Sequence, residues 1–270
     1  MRKLFLIVVV LISCAFKSQD VTLDSLKYRA DYILTYQNDS TDIHSKQQEN
    51  FMLLIGTNKS LFVSENTFKR DSIRNEVIKS KNLAGLNMGN VPKSAFSYWI
   101  VKNVPEKNVS FYDLLFRTAI KYQEEINFEW ELTSQKENIG STNCGIAFVN
   151  YGGRRYKTWY SLDISIPEGP YKFFGLPGLI LKMKDTKGYY TFELSGFKNV
   201  SKENGLIMLE DRLFNGASAT KKQYLSAKDS YINNMGAELQ RSGITIGNDA
   251  IKNAQYRERK KNNPIELSDK

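Results

Sequence analysis

The sequence predicts an α+β domain built on a mainly antiparallel, strongly curved β-sheet of meander or half-barrel type, with flanking helices. Apolar and polar residues alternate from Tyr156 to Ile166, which is typical of a strand with one buried face. Aromatic residues favour half-buried pleated surfaces, and the 270 residues include 15 Phe, 15 Tyr and 3 Trp. Helical patterns occupy only short stretches on either side of this region.

The first half of the chain alternates between short apolar runs and turn residues. Asn38-Asp39-Ser40 ends one run, and Gly56-Thr57-Asn58-Lys59 separates two others as a hairpin loop would. Apolar residues spaced among charges predict an amphipathic helix before the core of the sheet. The predicted elements are a helical turn or lead-in at 21–30, strands at 30–37, 51–55, 60–63 and 96–101, and a helix at 68–81.

The centre has the clearest strand pattern. Tyr151-Gly152-Gly153-Arg154 predicts a tight hairpin turn, because glycine adopts positive φ without strain. A strand with Phe128, Trp130 and Leu132 on one face precedes it. In the long strand that follows the turn, period two directs alternate side chains inward and outward. The predicted core residues are Tyr156, Tyr160, Leu162, Ile164 and Ile166, and Lys157, Ser161 and Asp163 are predicted to face solvent.

Trp159 interrupts the polar face of this strand. Either a second layer covers it, such as a helix over 220–240, or it is exposed for binding.

The remaining elements follow in order. Strands are predicted around 179–183 and 190–194, joined by a turn at 185–188, and the helix at 220–240 lies against the sheet. Residues 246–270 are polar and charged, which predicts a flexible tail. We therefore expect a signal peptide at 1–18, one domain at 19–245 and the tail.

The first residues form a targeting segment. Arg2-Lys3 precede a continuous apolar run from Leu4 to Ile12, which is too short to span a bilayer. The protein is therefore expected to be exported, to the periplasm, to the outer membrane as an associated protein, or to the medium. Two interpretations of the cleavage site stay open: Cys14 becomes the lipid-modified N-terminus of a lipoprotein, or cleavage near Ser18-Gln19 releases a soluble protein.

Composition excludes several classes of function. The net charge of +9 includes three charges in the targeting segment, and the rest do not cluster on a nucleic-acid-binding motif. Cys14 and Cys144 are the only cysteines, so an intramolecular disulfide is not expected. No nucleophile elbow, phosphate loop or dinucleotide motif occurs.

Titratable residues offer little for catalysis. His44 is the only histidine and lies in a polar stretch, so a His-based triad or a two-His metal site is excluded. The acidic cluster Glu124, Glu125, Glu129 and Glu131 could in principle cleave a glycosidic bond, and strand-edge solubility explains it equally well. We expect a non-enzymatic protein without cofactor or metal.

The run Gly175-Leu176-Pro177-Gly178-Leu179-Ile180 combines Pro and Gly with large apolar residues. Pro followed by Gly predicts a type II turn over 176–179, with Gly178 at positive φ. With Trp130, Gly153-Arg154, Trp159-Tyr160 and the preceding Gly169-Pro170-Tyr171-Lys172-Phe173-Phe174, this run resembles the GLPGLI family of secreted Bacteroidetes proteins. The resemblance covers about residues 125–200. It implies export and supplies no catalytic residue, since the family has no established activity.

The candidate binding residues are Arg154, a hairpin-tip charge or an anion contact, and a set of aromatic and motif residues that form either a core or a groove. These are Trp159, Tyr171, Phe173, Phe174, Gly175, Leu176, Pro177, Gly178, Leu179 and Ile180. The leading hypothesis is a monomeric envelope protein whose concave apolar sheet face holds a lipid, a peptide or a partner segment. The alternatives are an accessory subunit of an outer-membrane transporter and a hydrolase.

Overall fold

The computed structural model describes residues 20–80, 91–241, 243 and 246–267. In these residues strands dominate. They are β1 (Val21–Ser25), β2 (Tyr28–Gln37), β3 (Lys46–Ile55), β4 (Lys59–Ser64), β5 (Trp99–Asn103), β6 (Asn108–Leu115), β7 (Thr118–Glu125), β8 (Glu131–Ile139), β9 (Thr142–Tyr151), β10 (Arg154–Ser161), β11 (Ile180–Asp185), β12 (Tyr190–Asn199), β13 (Leu206–Leu209) and β14 (Ala217–Ser218). The helices are α1 (Glu65–Ser80), α2 (Asp211–Phe214), α3 (Lys221–Asn233), α4 (Met235–Arg241) and α5 (Asn248–Arg259).

Most described strands belong to one open sheet. Its twelve strands, as far as the structure describes the chain, run in the order β14-β7-β6-β5-β4-β3-β2-β12-β11-β10-β9-β8. Every pairing is antiparallel except that of β14 with β7. From β2 to β7 and from β8 to β12, strands that are consecutive in the chain are neighbours in the sheet, and β2 joins the two halves by pairing with β12. The predicted mainly antiparallel sheet with a few flanking helices is present.

The open sheet curves around a segment of its own chain. Residues 162–179, which we call the plug, connect β10 to β11. The Phe173 carbonyl accepts a hydrogen bond from Lys102 of β5, and the Phe173 ring lies 5.0 Å from the Tyr156 ring of β10. In a flat sheet β5 and β10 would lie six strand spacings, or roughly 29 Å, apart. The sheet therefore curves so that both halves contact the plug.

A second layer covers the outer face of one half. Met52, Leu61 and Trp99 alternate with residues that face the plug, and they pack instead with Ile207 and Leu209 of β13. β1 pairs with β13 to form a separate two-stranded sheet in this layer. The plug side and the outer layer are thus two cores on opposite faces of the same strands.

Several predicted elements are confirmed in type, including strands β2 to β5, α1 and the helix that begins at Lys221. The predicted turn at Gly152-Gly153 is also confirmed, with φ of 56° and 70° at the two glycines. β6 and β7 are absent from the sequence-based prediction, since Asp113 and a run of charged residues interrupt their patterns. The lead-in over 21–30 contains β1 and the start of β2.

The long central strand is shorter than predicted. β10 ends at Ser161, whose Oγ accepts hydrogen bonds from the backbone N–H groups of Asp163 (3.1 Å) and Ile164 (3.0 Å). Such a serine turn competes with the strand ladder and diverts the chain into the plug. The prediction that Leu162 is a core residue is wrong, because it is 40% exposed.

Candidate functional site

The plug is a compact loop held by its own backbone. The Gly175 N–H donates to the Pro167 carbonyl at 2.9 Å, and Glu168 and Phe174 form an isolated β-bridge. The Leu179 N–H donates to the Ile164 carbonyl at 3.0 Å. Its three prolines and three glycines therefore fold into a defined structure in the interior of the sheet.

Close approach, and not positive φ, requires glycine at position 178. A Cβ on Gly178 would lie 1.8 Å from the Ser161 carbonyl oxygen. The predicted type II turn with Gly178 at positive φ is wrong, because the positive φ of the hexapeptide, 92°, belongs to Gly175. Gly175 is therefore required by its backbone conformation, and Gly178 by its contact with the Ser161 carbonyl.

The aromatic candidates form the core of the plug. Phe173 is fully buried and its ring contacts those of Phe128, Tyr151 and Tyr156 at 5.0–5.3 Å. The Trp130 Nε1 donates to the Phe174 carbonyl at 3.0 Å. Tyr171, Phe173, Phe174, Leu176, Leu179 and Ile180 are all buried, whereas Gly175 and Pro177 are exposed. The concave face that the sequence offers as a ligand surface is therefore filled by the chain itself.

Two fully buried lysines hold the plug through charge. The Lys102 Nζ lies 2.6 Å from the Glu168 carboxylate and donates to the carbonyl of Gly169 at 2.6 Å. Burial lowers the pKa of Lys102, and the Glu168 carboxylate opposes that shift. Lys172 of the plug points the other way, towards Glu124 of β7 and the Tyr122 hydroxyl.

Arg154 follows the hairpin turn, but its charge is not exposed at the tip, and its guanidinium is not free for an external anion. It is 5% exposed, and its Nη1 lies 3.1 Å from the Asp185 carboxylate. The same guanidinium donates to the carbonyls of Pro264 (2.6 Å) and Ile265 (3.0 Å). The planar fork of arginine thus holds an extended segment that comes from the far end of the described chain.

That segment, residues 262–267, is called the strap. Asn263 is 4% exposed, and its amide donates to the Gln37 carbonyl at 2.6 Å. The Leu267 N–H donates to the Gly152 carbonyl at 2.6 Å. The expected flexible tail differs from the structure here, because residues 248–259 form α5 and the strap is held by buried polar groups.

The Glu266 side chain ends in a pocket of two lysines. Its carboxylate lies 2.8 Å from the Lys172 Nζ and also contacts Lys221 Nζ and the Tyr171 hydroxyl. Burial alone would raise the pKa of Glu266, but the charges and hydrogen bonds of the two lysines outweigh it and lower the pKa to about 2. Glu124 lies 3.1 Å from Lys221 on the other side.

Trp159 is covered by charged side chains and not by the helix at 221–233. Its Nε1 donates to Glu137 at 2.7 Å, and the Nζ atoms of Lys157 and Lys182 lie 4.5 Å and 5.7 Å from its ring centre. These cation–π contacts leave the residue 8% exposed. Neither of the two expected environments, a helix or open solvent, is found.

The other sequence candidates lie apart from this site. Glu131 forms an exposed ion pair with Arg155, and His44 is exposed. Burial raises the pKa of the Cys144 thiol, which is characteristic of a structural cysteine. Cys14 lies outside the described residues. Within residues 20–80, 91–241 and 246–267, no group of three or more His, Cys, Asp or Glu side chains could hold a metal ion.

Sequence reasoning missed Lys102, Lys172 and Glu266. The sequence does mark Lys172 as unusual, because it is the only charged residue in the run Pro170-Tyr171-Lys172-Phe173. A lysine in such a run is buried only when a carboxylate pairs with it. Its partners are distant in sequence, so nothing local identifies them.

No helix in the described part of the chain is long and apolar enough to cross a membrane.

A sequence model of a family described as a protein of unknown function, Porph_ging, matches residues 153–182. These run from the hairpin turn through β10 and the plug to the start of β11. No curated protein matches the chain.

The fold is similar to that of PNGF-II, which is solved in two space groups. The structure in space group P21 aligns with a TM-score of 0.50 and 18% identity, over 74% of this chain and 32% of that chain. The C2 structure aligns with a TM-score of 0.49 and 20% identity, with the same coverage. This chain thus spans about a third of the length of those structures, and at this identity the likeness concerns the fold alone.

Proposed function

We propose that this chain is an exported binding protein of the GLPGLI type, which holds an extended peptide or partner segment and catalyses no reaction. One observation carries the proposal: buried cations on the sheet and in the plug bind carbonyl and carboxylate oxygens of extended chain. Arg154 donates to two successive backbone carbonyls of the strap, and Lys172 pairs with the carboxylate of Glu266, three residues after Asn263. Such contacts recognise peptide chemistry.

A peptide suits this interior better than a lipid does. The aromatic space inside the sheet is filled by Phe173 and its neighbours, so an acyl chain would first have to displace the plug. A peptide can bind to the polar groups at the edge of this aromatic space, because its own main-chain oxygens replace water as hydrogen-bond acceptors.

Export is part of the proposal. The basic residues 2–3 and the apolar residues 4–12 support it, as does the resemblance to a secreted family. N-terminal sequencing of the native protein tests it, and an intact Met1 on a cytoplasmic protein would contradict it. Incorporation of a palmitate analogue, with Cys14→Ala as control, distinguishes the lipoprotein from the soluble form.

The binding proposal is tested by native mass spectrometry of the protein purified from its own cell envelope. We expect an added mass that tandem spectrometry resolves into peptide fragments. A lipid adduct would support the carrier alternative instead. Turnover of a glycoside or peptide library by the purified protein would contradict the non-enzymatic assignment.

A further inference from the structure

The strap contacts the rest of the molecule mainly through polar groups. Asn263 illustrates this, since its N–H donates to the Asn38 carbonyl (2.9 Å) and its carbonyl accepts from the Tyr190 hydroxyl (2.6 Å). Its side-chain oxygen accepts from Arg154 at 2.6 Å. The strap thereby contacts β2, β10 and β12 without pairing as a strand in either sheet.

The chain that leads to the strap is weakly anchored. α5 contains no buried residue, and Gln255 joins it to α3 through hydrogen bonds to the carbonyls of Ile232 and Asn233. Segments with few buried apolar contacts open at low free-energy cost. Release of the strap would remove the contacts of Glu266 with Tyr171 and Lys172. The ring contacts of Phe173 involve no residue of the strap.

The pocket beneath Glu266 requires an anion. Glu266 pairs with both Lys172 and Lys221, as Glu124 does, so removal of Glu266 takes away one of the negative charges that balance Lys172. Lys172 is fully buried, so an excess positive charge there has no access to water. Any occupant that replaces the strap must supply a carboxylate at this point.

We propose that the strap is the resident occupant of a peptide-binding site, and that an extended acidic peptide of a partner protein replaces it. The occupant presents a buried amide side chain, two carbonyls to Arg154 and a carboxylate to Lys172 and Lys221, as Asn263, Pro264, Ile265 and Glu266 do. The inference rests on the proposed function and names its site and its ligand chemistry.

The test uses the full chain with a protease site inserted after the exposed Lys260. After cleavage and dialysis, native mass spectrometry reports whether the fragment that carries the strap has left, and circular dichroism reports whether the fold remains. A fluorescent peptide with the sequence of residues 261–267 is then titrated by anisotropy. We expect a folded, strap-free protein that binds this peptide.

The same peptide with Glu266→Gln distinguishes recognition of the carboxylate from non-specific binding. It should bind roughly tenfold to a hundredfold more weakly, because hydrogen bonds to charged groups are lost. In the Lys221→Met protein the two peptides should differ less. Glu131→Gln, at an exposed ion pair, is the matched control and should leave both affinities unchanged.

Four outcomes would overturn the proposal: a fragment that stays bound after extended dialysis, loss of the fold when it leaves, equal binding of both peptides, or exchange of straps between two copies seen as a dimer. The last would assign the site to a second copy of this chain. If one of these outcomes occurs while the native protein carries a peptide adduct, the proposed function stands and its binding site lies elsewhere. Glu266-dependent binding of the strap peptide, without a peptide adduct on the native protein, would support the site and count against the proposed function.

Discussion

Gly178 touches the backbone of the strand that precedes the plug, and this contact leaves no room for a side chain. A methyl group would lie 1.8 Å from the Ser161 oxygen and 3.0 Å from the Ile164 oxygen. Both are backbone atoms that cannot rotate away. The residue therefore sets the distance between the two ends of the plug.

Gly178→Ala is expected to destabilise the protein by about 3 kcal/mol or more, since overpacking against rigid backbone is costly. Urea denaturation measures the free energy of unfolding. The control is Gly140→Ala, where φ is 58° and no atom lies within 4 Å of the added methyl group. That change should cost only about 1–2 kcal/mol. Equal losses at the two sites would contradict the steric argument.

Glu266 should make stability depend on pH in the acid range. The pKa of its carboxyl is about 2 in the folded protein, against 4.5 as its ordinary value. A lowered folded-state pKa stabilises fully above pH 4.5, and the contribution is lost as pH falls towards 2. Between pH 6 and pH 3 about 2 kcal/mol of the stability difference between wild type and Glu266→Gln should disappear.

Denaturant titrations of both proteins at each pH measure this difference. Glu131→Gln is the control, because Glu131 lies in an exposed ion pair with Arg155. Its difference from wild type should stay nearly constant. A wild-type advantage over Glu266→Gln that persists unchanged at pH 3 would count against the two-lysine pocket.

At the scale of elements, β10 shows how a sheet protects an aromatic side chain on its outer face. Trp159 pairs across the ladder with Lys182, and Lys157 precedes it on the same face. Both ammonium groups lie over the indole ring. Long lysine side chains can cover apolar surface while their charges stay in water.

We expect weak acrylamide quenching of Trp159 in a protein whose Trp99 and Trp130 are replaced by Phe. Lys157→Ala with Lys182→Ala should increase quenching clearly, because the two covering side chains are removed. Lys184→Ala is the control, since Lys184 is exposed on the same strand face and stacks on no ring. Strong quenching before any lysine is changed would indicate an open binding surface.

At the scale of the whole molecule, the two halves of the sheet are held around the plug by buried charge. Lys102 belongs to β5, and Glu168 lies within the plug that follows β10. Removing one partner of a buried pair leaves an uncompensated charge, which costs about 3–5 kcal/mol, while an apolar replacement of both partners costs far less.

A double-mutant cycle with Lys102→Met and Glu168→Gln is therefore expected to be strongly non-additive, with the double variant more stable than the sum of the single losses predicts. The exposed pair Arg155–Glu131 is the matched cycle and should couple by only about 0–1 kcal/mol. Additive losses at Lys102 and Glu168 would show that the pair does not join the halves.

Short-range patterns determined much of this fold. Period two identified β2 and the inward residues Tyr156 and Tyr160, and apolar runs around a four-residue loop identified β3 and β4. Gly152-Gly153 identified the hairpin turn, because strand patterns and turn conformation depend on neighbouring residues alone. The apolar run at 4–12 predicts export on the same local grounds. Which element covers a given face is not local information.

Only the tertiary structure decided what the motif does. It brings Ser161 against Gly178 and Lys102 against Glu168, and it places Glu266 between two lysines that lie 45 and 94 positions earlier in the chain. Buried charges are stable only where a partner of opposite charge arrives, and that partner is selected by the path of the chain and not by its neighbours. The roles of the charged tail and of the lone lysine among aromatic residues therefore follow only from the contact between the strap and the plug.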